Sequence, residues 1–171
     1  MRRGALVSPF VVLTGFLAAI PYICGAIAMM LWARLSDAGG ERSWYVASAL
    51  VLGAVALVVC GYATSSALIS IVALCGAVIG IMCYTSTFWP IPSSFLTGSA
   101  AAGGLAAIVS VGNLGGFAGP YLIGAIRQAT GSFSWALISV AAFLTLAAIL
   151  IRVVGISLQR SRATQSEPAH V

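Results

Sequence analysis

The sequence predicts an all-α membrane protein, a polytopic helical bundle with five transmembrane helices. The chain is 61% hydrophobic and only 6% charged, whereas soluble domains carry about 25% charged residues. Residues 43–126 contain no Asp, Glu, Lys or Arg, and that run is several times longer than the roughly 20 residues that one span needs. All eight basic residues are arginines at the ends of apolar runs or in the termini, where charges that determine topology lie.

The first three spans follow a short N-terminal segment, 1–10. The first span covers about 11–33 and contains Pro21, where we expect a kink because proline removes a helical hydrogen bond. The charged loop at 33–43 leads to the second span, 44–63, and a tight turn leads to the third, 68–89. The two prolines of PIPSS are expected to break the helix there.

The fourth and fifth spans cover about 101–126 and 135–154, and we expect the fourth to be irregular near Pro120. The remaining residues, 155–171, are expected to form a polar cytoplasmic tail, and we expect its stretch LQRSRATQSEPAHV, residues 158–171, to be disordered. If the loop after the first span is cytoplasmic, five arginines lie inside and three outside, which favours this orientation. The inside set is Arg34, Arg42, Arg152, Arg160 and Arg162, and the outside set is Arg2, Arg3 and Arg127.

Composition and motifs argue against several function classes. The net charge of +5 reflects arginines at span ends and is not a nucleic-acid signal. The four cysteines form no C-x-x-C pair and have no histidine nearby, so we expect neither a metal site nor a cofactor. A membrane serine protease needs a histidine inside the membrane, and a metal-dependent phosphotransferase needs paired aspartates. The sequence offers neither, and we do not expect an enzyme.

The loop RLSDAGGER is the one internal segment rich in charge. Asp37 and Arg42 lie on either side of Gly40, and glycine permits the positive φ that a sharp turn requires. Such a pair can hold two helices in one arrangement and release them in another. The alternative is a solvated loop whose charges only determine topology. Both interpretations are open at this level.

The stretch VGNLGGFAGPYLIG places glycines on adjacent faces of the fourth span. Its G-x-x-x-G pairs, like Gly76 and Gly80 in the third span, allow a neighbouring backbone to approach closely. Asn113 should face the protein interior, because an amide facing lipid would be unsatisfied. Ser110 lies one turn earlier on the same side. These residues are either helix-packing residues only or part of a binding cavity.

A family resemblance rests on four segments in order: GFLAAIPYICGAIAMMLW, SDAGGER, FWPIPSSFLTGSAAAGGLAA and SVGNLGGFAGPYLIGAI. Together they resemble the C-terminal half of the anion:cation symporter family, within the major facilitator superfamily. Asp37, Gly40 and Arg42 match the repeated loop G-x-x-x-D-R-x-G-R-R of that superfamily, whereas Ala38 and Glu41 replace basic residues. The resemblance covers about residues 15–150 and corresponds to helices eight to twelve of twelve.

The resemblance implies a secondary transporter of a small organic anion, such as tartrate, another sugar acid or a phthalate-like carboxylate, with a coupled proton. It implies a multi-pass location in the bacterial inner membrane, with the lipid bilayer and an N-terminal transporter half as partners. The candidate cavity residues are then Tyr22, Ser86, Thr87, Trp89, Ser110 and Asn113. The conformational-loop candidates are Asp37, Gly40 and Arg42, and the helix-packing or hinge candidates are Pro21, Gly112, Gly115, Gly116, Gly119 and Pro120.

Two departures bear on function. The family often places an asparagine that contacts substrate where this chain has Val109, so one substrate hydrogen bond is lost. No acidic or basic residue lies in the middle of a span, although proton coupling needs a titratable group there; the family supplies such groups largely from its N-terminal half. We therefore expect a truncated transporter. The alternative is a nonfunctional remnant or a membrane scaffold without transport activity of its own.

Overall fold

The regular elements of the structure, a computed structural model, are all α-helices within the residues that it describes, 9–63, 66–96 and 98–165. The helices are α1 (Pro9–Gly39), α2 (Arg42–Tyr62), α3 (Ala67–Phe88), α4 (Pro90–Phe95), α5 (Ser99–Thr130) and α6 (Phe133–Gln165). Among these residues, five segments are long and apolar enough to cross a membrane, and α3 and α4 together form one of them. The predicted all-α class and the five spans are confirmed.

Helix α2 lies at the centre of the bundle. It packs along its length against α3 and α6, while α1 packs mainly against α3 and α5 packs against α6. Two clusters of buried residues fill the space around α2: Ala54, Ala56, Leu57, Ala77 and Ala141 in one, and Val46, Ala47, Leu50 and Ala148 in the other. The alanine-rich core lets the helix backbones approach closely, as is typical of packing between membrane helices.

Helices α2 and α3 approach each other closely at Gly53 and Gly80. A Cβ atom added to Gly80 would lie 2.7 Å from the backbone nitrogen of Gly53 and 2.8 Å from the carbonyl oxygen of Ala49. A Cβ added to Gly76 would lie 3.2 Å from the side chain of Ala56. The prediction that the third span uses its glycines for close packing is thus confirmed by these contacts.

The predicted break after the third span is a local loss of hydrogen bonds. Trp89 separates α3 from α4 yet keeps helical dihedral angles, with φ −59° and ψ −35°. Pro90 and Pro92 have no backbone N–H, so the helical bonds that they would donate are missing. The chain then turns at Gly98, which has φ +63°. The segment thus continues in the helical direction for one further turn before it reverses.

Several helices extend beyond the predicted span limits. Helix α1 continues to Gly39 instead of ending near residue 33, and α6 continues to Gln165 instead of ending near residue 154. The expectation that residues 158–165 are disordered is wrong, because polar residues leave the hydrocarbon without leaving the helix. Residues 166–171 and 1–8 lie outside the described residues. Pro21 and Pro120 both lie within continuous helices, so the kink at Pro21 and the irregular α5 remain predictions.

Candidate functional site: the charged loop and the open face of α5

The charged loop between α1 and α2 is closed by an ion pair. Arg42, the first residue of α2, donates a hydrogen bond from its guanidinium to the carboxylate of Asp37 at 2.7 Å. Gly40 has φ +71°, which meets the expectation that a glycine makes this turn. The two side chains are 40% and 64% exposed. Because solvent screens exposed pairs, the ion pair contributes little to stability.

A second polar cluster joins this loop to α6, and sequence reasoning missed it. Arg152 lies 3.3 Å from the carboxylate of Glu41, and the side-chain amide of Gln159 donates to the same carboxylate oxygen at 3.1 Å. The guanidinium of Arg152 also lies 4.8 Å from the ring centroid of Trp44, within the range of a cation–π contact. Glu41, which replaces a basic residue of the family motif, therefore has a basic partner.

The loop and the C-terminal part of α6 lie at the same end of the bundle, as these contacts show. The side of the membrane that this end faces stays a prediction. Trp32 of α1 supports the same end, because its indole N–H donates to the carbonyl of Tyr45 at 3.2 Å and the two rings meet edge to face. The charged loop is thus held by three helices, α1, α2 and α6.

The candidate residues at the end of α3 differ in accessibility. Thr87 is 2% exposed, and its hydroxyl donates to the carbonyl oxygen of Cys83 at 2.8 Å. Ser86 donates to the same carbonyl at 2.9 Å. Trp89 is 40% exposed and packs edge-on against Phe88. Trp89 can therefore meet a ligand at the surface, whereas Thr87 is buried against its own helix.

The candidates on α1 and α5 lie on open surfaces. Tyr22 is 59% exposed, and Ser110 and Asn113 are both exposed on α5. No hydrogen bond of the Asn113 amide occurs within the described part of the chain. The expectation that Asn113 faces the interior is therefore not met by the helices of this chain, because α5 lies at the edge of the bundle.

Four glycines of α5 lie close to Asn113 in the sequence. We define the α5 glycine face as Gly112, Gly115, Gly116 and Gly119. Apart from the adjoining backbone of α5 itself, a Cβ atom added at any of these four positions would have no described atom within 4 Å. Throughout the membrane-spanning part of α5, none of the residues is buried. The small residues that would admit a close neighbour have no neighbour among the described residues.

Four cavities of about 280–500 Å³ are lined by described residues, and the six cavity candidates line none of these four. A cavity of about 280 Å³ lies where α4 and α5 meet α6, and it is lined by Ser43, Phe88, Ile91, Pro92, Ile108, Leu150, Ile151, Val154 and Gly155. None of the six candidates lines it. Within the described residues, no group of His, Cys, Asp and Glu is arranged to hold a metal ion. Tyr22, Ser110 and Asn113 are exposed on α1 and α5, and Trp89 is exposed just after α3, whereas Thr87 is buried.

These features define a multi-pass integral membrane protein. Comparison with known proteins identifies the kind of membrane protein. The chain is 43% identical over 156 residues to an Agrobacterium vitis protein named for tartrate transport, a match that covers 91% of the chain and 34% of the relative. A second such Agrobacterium vitis protein is 48% identical over 136 residues, covering 80% of the chain and 31% of the relative.

A more distant relative has a different named activity. A quinolone resistance transporter from Acinetobacter baumannii is 36% identical over 152 residues, covering 86% of the chain and 34% of that protein. No family model and no solved structure matches the chain. The chain thus spans about a third of the length of the curated relatives that it matches. The chain is related to these membrane transporters over most of its own length, and the resemblance read from the sequence is confirmed.

Proposed function

We propose that the chain forms part of a major-facilitator-type secondary transporter for small organic anions, such as sugar acids or other carboxylates, with a proton as the coupling ion. It corresponds to helices eight to twelve of such a transporter and works with further membrane helices that face α5. The names of the Agrobacterium vitis relatives support the substrate class. Alternating access in such transporters uses two halves that enclose the site between them.

One observation carries this proposal: the amide of Asn113 is exposed on a helix that is apolar and long enough to span the membrane. An amide transferred into hydrocarbon without a hydrogen bond costs roughly 2–7 kcal/mol. The α5 glycine face around it is shaped to admit a closely packed helix. A partner helix, a bound polar substrate or water in a cavity would satisfy the amide, and all three are present in a complete transporter.

The charge distribution supports the proposal that this chain and its partner helices contribute different groups to the site. Residues 43–126 contain no titratable acid or base of the Asp, Glu, Lys or Arg type. An anion carrier uses a membrane-embedded cation, and a proton-coupled carrier uses a titratable group. The partner helices would supply both, while this chain supplies Asn113, Ser110 and Trp89 to the cavity wall.

Uptake measurements test the proposal directly. Cells expressing the chain alone, and cells that also express the first seven helices of the Agrobacterium vitis relative, are given labelled tartrate, hexonates and aromatic carboxylates. We expect uptake only in the paired cells. In the paired cells, Asn113→Leu should lower uptake by roughly 10-fold or more, because it removes a polar contact, whereas the control Cys75→Ala should have little effect. Concentrative uptake by the chain alone would contradict the proposal.

A second candidate function rests on Val109. This residue is 43% exposed on α5 and is apolar where the family often has a substrate-binding amide. A chain that has lost this contact could serve as a membrane scaffold, or remain as a remnant without transport activity. Paired cells that assemble the two pieces, as shown by co-purification, yet take up none of the three substrate types would favour this function over transport.

A further inference from the structure

We propose that the outer groove between α2 and α6 binds a phospholipid with an anionic headgroup, with the phosphate at Arg152 and an acyl chain along the groove. Two adjoining cavities form this groove. The first, of about 500 Å³, is lined by Trp44, Ala47, Ser48, Val51, Thr145, Ala148, Ile149, Arg152, Val153 and Ile156. The second, of about 320 Å³, is lined by Val51, Ala54, Val55, Val58, Val59 and Thr145.

The two cavities adjoin each other, because Val51 and Thr145 line both. Along α2 the groove runs from Trp44 to Val59, which at about 1.5 Å per residue is a length of roughly 22 Å. Half of a bilayer's hydrocarbon core is about 15 Å thick. An acyl chain whose headgroup lies at the Trp44 end can therefore remain in the groove to the middle of the membrane.

The polar end of the groove is suited to a phosphate. Arg152 has five N–H donors in its guanidinium, and its ion pair with Glu41 uses one nitrogen, Nη1, at 3.3 Å. Its side chain is 28% exposed, so a ligand can reach the guanidinium from the groove. Arginine binds phosphate oxygens through paired hydrogen bonds, and Trp44 beside it is a residue type that anchors proteins at the membrane interface.

The positive charge of Arg152 favours a lipid with an anionic headgroup in the groove. The groove lies on two membrane-spanning helices, so lipid is the medium that surrounds its exposed apolar walls. Basic pockets between membrane helices near the interface attract anionic headgroups. The carboxylate of Glu41 competes with the phosphate for Arg152. Substitutions of Arg152 and of Glu41 should therefore change the preference for anionic lipid in opposite directions. Removing the charge of Arg152 should weaken the preference for anionic lipid, and removing the charge of Glu41 should strengthen it.

Native mass spectrometry of the full chain in detergent tests this, with dioleoyl phosphatidylglycerol and dioleoyl phosphatidylcholine added at equal concentrations. The wild-type chain should retain more phosphatidylglycerol. Arg152→Gln should lower the ratio of the two bound lipids about fivefold, as expected for one basic residue, and Glu41→Gln should raise it. Arg127→Gln, which removes an arginine from the last turn of α5, is the matched control and should change the ratio less than twofold. Far-UV circular dichroism verifies that each variant is helical.

Two further experiments test whether an acyl chain occupies the groove. Val51→Trp fills the groove without changing charge and should reduce the binding of both lipids. Glycerol phosphate, a soluble headgroup analogue, should not displace bound phosphatidylglycerol at equal concentration. An unchanged ratio in Arg152→Gln, an equal loss in Arg127→Gln, or a fall in Glu41→Gln would overturn the proposal. So would full displacement by glycerol phosphate or undiminished binding to Val51→Trp, because either result would show that no acyl chain occupies the groove.

Discussion

Helices α2 and α5 both span the membrane and both contain glycines, yet they pack in opposite ways. Half of the membrane-spanning part of α2 is buried within the chain, and none of that part of α5 is. On α2, Gly53 contacts the backbone of α3 at Gly80. On α5, the glycine face contacts nothing within the described residues. Glycine therefore packs against a neighbouring helix in α2, whereas the glycine face of α5 is open among the described residues.

The difference teaches what a glycine motif in a membrane helix does and does not specify. Glycine removes the Cβ that would keep two backbones apart, and the motif thereby permits close packing. It does not identify the helix that packs there. For α2 the partner is α3 of the same chain, and for α5 we propose that it is a helix of the other part of the transporter. The relatives, about three times as long as the region that this chain matches, have room for such helices.

The largest loss of stability is expected from a side chain placed in the contact between α2 and α3 at Gly80. Gly80→Val would place a Cβ within 2.8 Å of the backbone of α2, and backbone atoms cannot move aside as a side chain can. Overpacking of this kind costs about 2–3 kcal/mol. Equilibrium unfolding of the chain in detergent, followed by circular dichroism, should show this loss in the free energy of unfolding.

Gly116→Val on α5 is the matched control for that experiment. Because a Cβ at this position would have nothing within 4 Å, the free energy of unfolding should change by no more than about 0.5 kcal/mol. If the two variants lost equal stability, the comparison between a completed and an open contact would be wrong.

A substitution in the α5 glycine face should lower uptake in cells that express both parts of the transporter. Gly116→Leu would place a large side chain where we propose that a partner helix packs. We expect uptake of labelled carboxylate in cells with both parts to fall about 10-fold, equivalent to roughly 1.4 kcal/mol, while the stability of the chain alone is unchanged. Ala107→Leu, on an exposed position of the same helix outside the glycine face, serves as the control. Equal losses of uptake in the two variants would show that the glycine face is not the contact surface.

More of the fold than of the candidate site could be predicted from the sequence. Hydropathy located five spans because each apolar run must cross a bilayer about 30 Å thick. It placed the end of α6 near residue 154, whereas the helix reaches Gln165, because hydropathy marks the membrane boundary and not the helix end. The pairing of Asp37 with Arg42 could be anticipated from their spacing within one loop. The pairing of Glu41 with Arg152 could not, since 111 residues separate them.

The site was harder to predict because the described helices do not enclose its candidate residues. The chemistry of Asn113 led to the expectation of an interior position, and within the described helices it is exposed. Sequence patterns state what environment a residue needs, but they do not state which chain supplies it. The hydroxyl of Thr87 illustrates the opposite case. A threonine near a helix end was a reasonable cavity candidate, but it is buried and bonded to its own helix, an outcome that depends on how α3 is rotated in the bundle.

Only a small effect on stability is expected at the charged loop, and a variant there separates the two interpretations of that loop. Asp37→Asn removes an ion pair whose side chains are 40% and 64% exposed, so the free energy of unfolding of the chain alone should fall by less than about 1 kcal/mol. If the pair only determines topology, uptake in the paired cells should also be nearly unchanged. If it holds α1 and α2 in one of two arrangements, uptake should fall severalfold although stability does not. Glu167→Gln removes one negative charge more than 120 residues further along the sequence and is the control for net charge. We expect Asp37→Asn to lower uptake and Glu167→Gln to leave it unchanged, because Arg42 at the start of α2 is held to the last turns of α1 only through Asp37 among the described ion pairs.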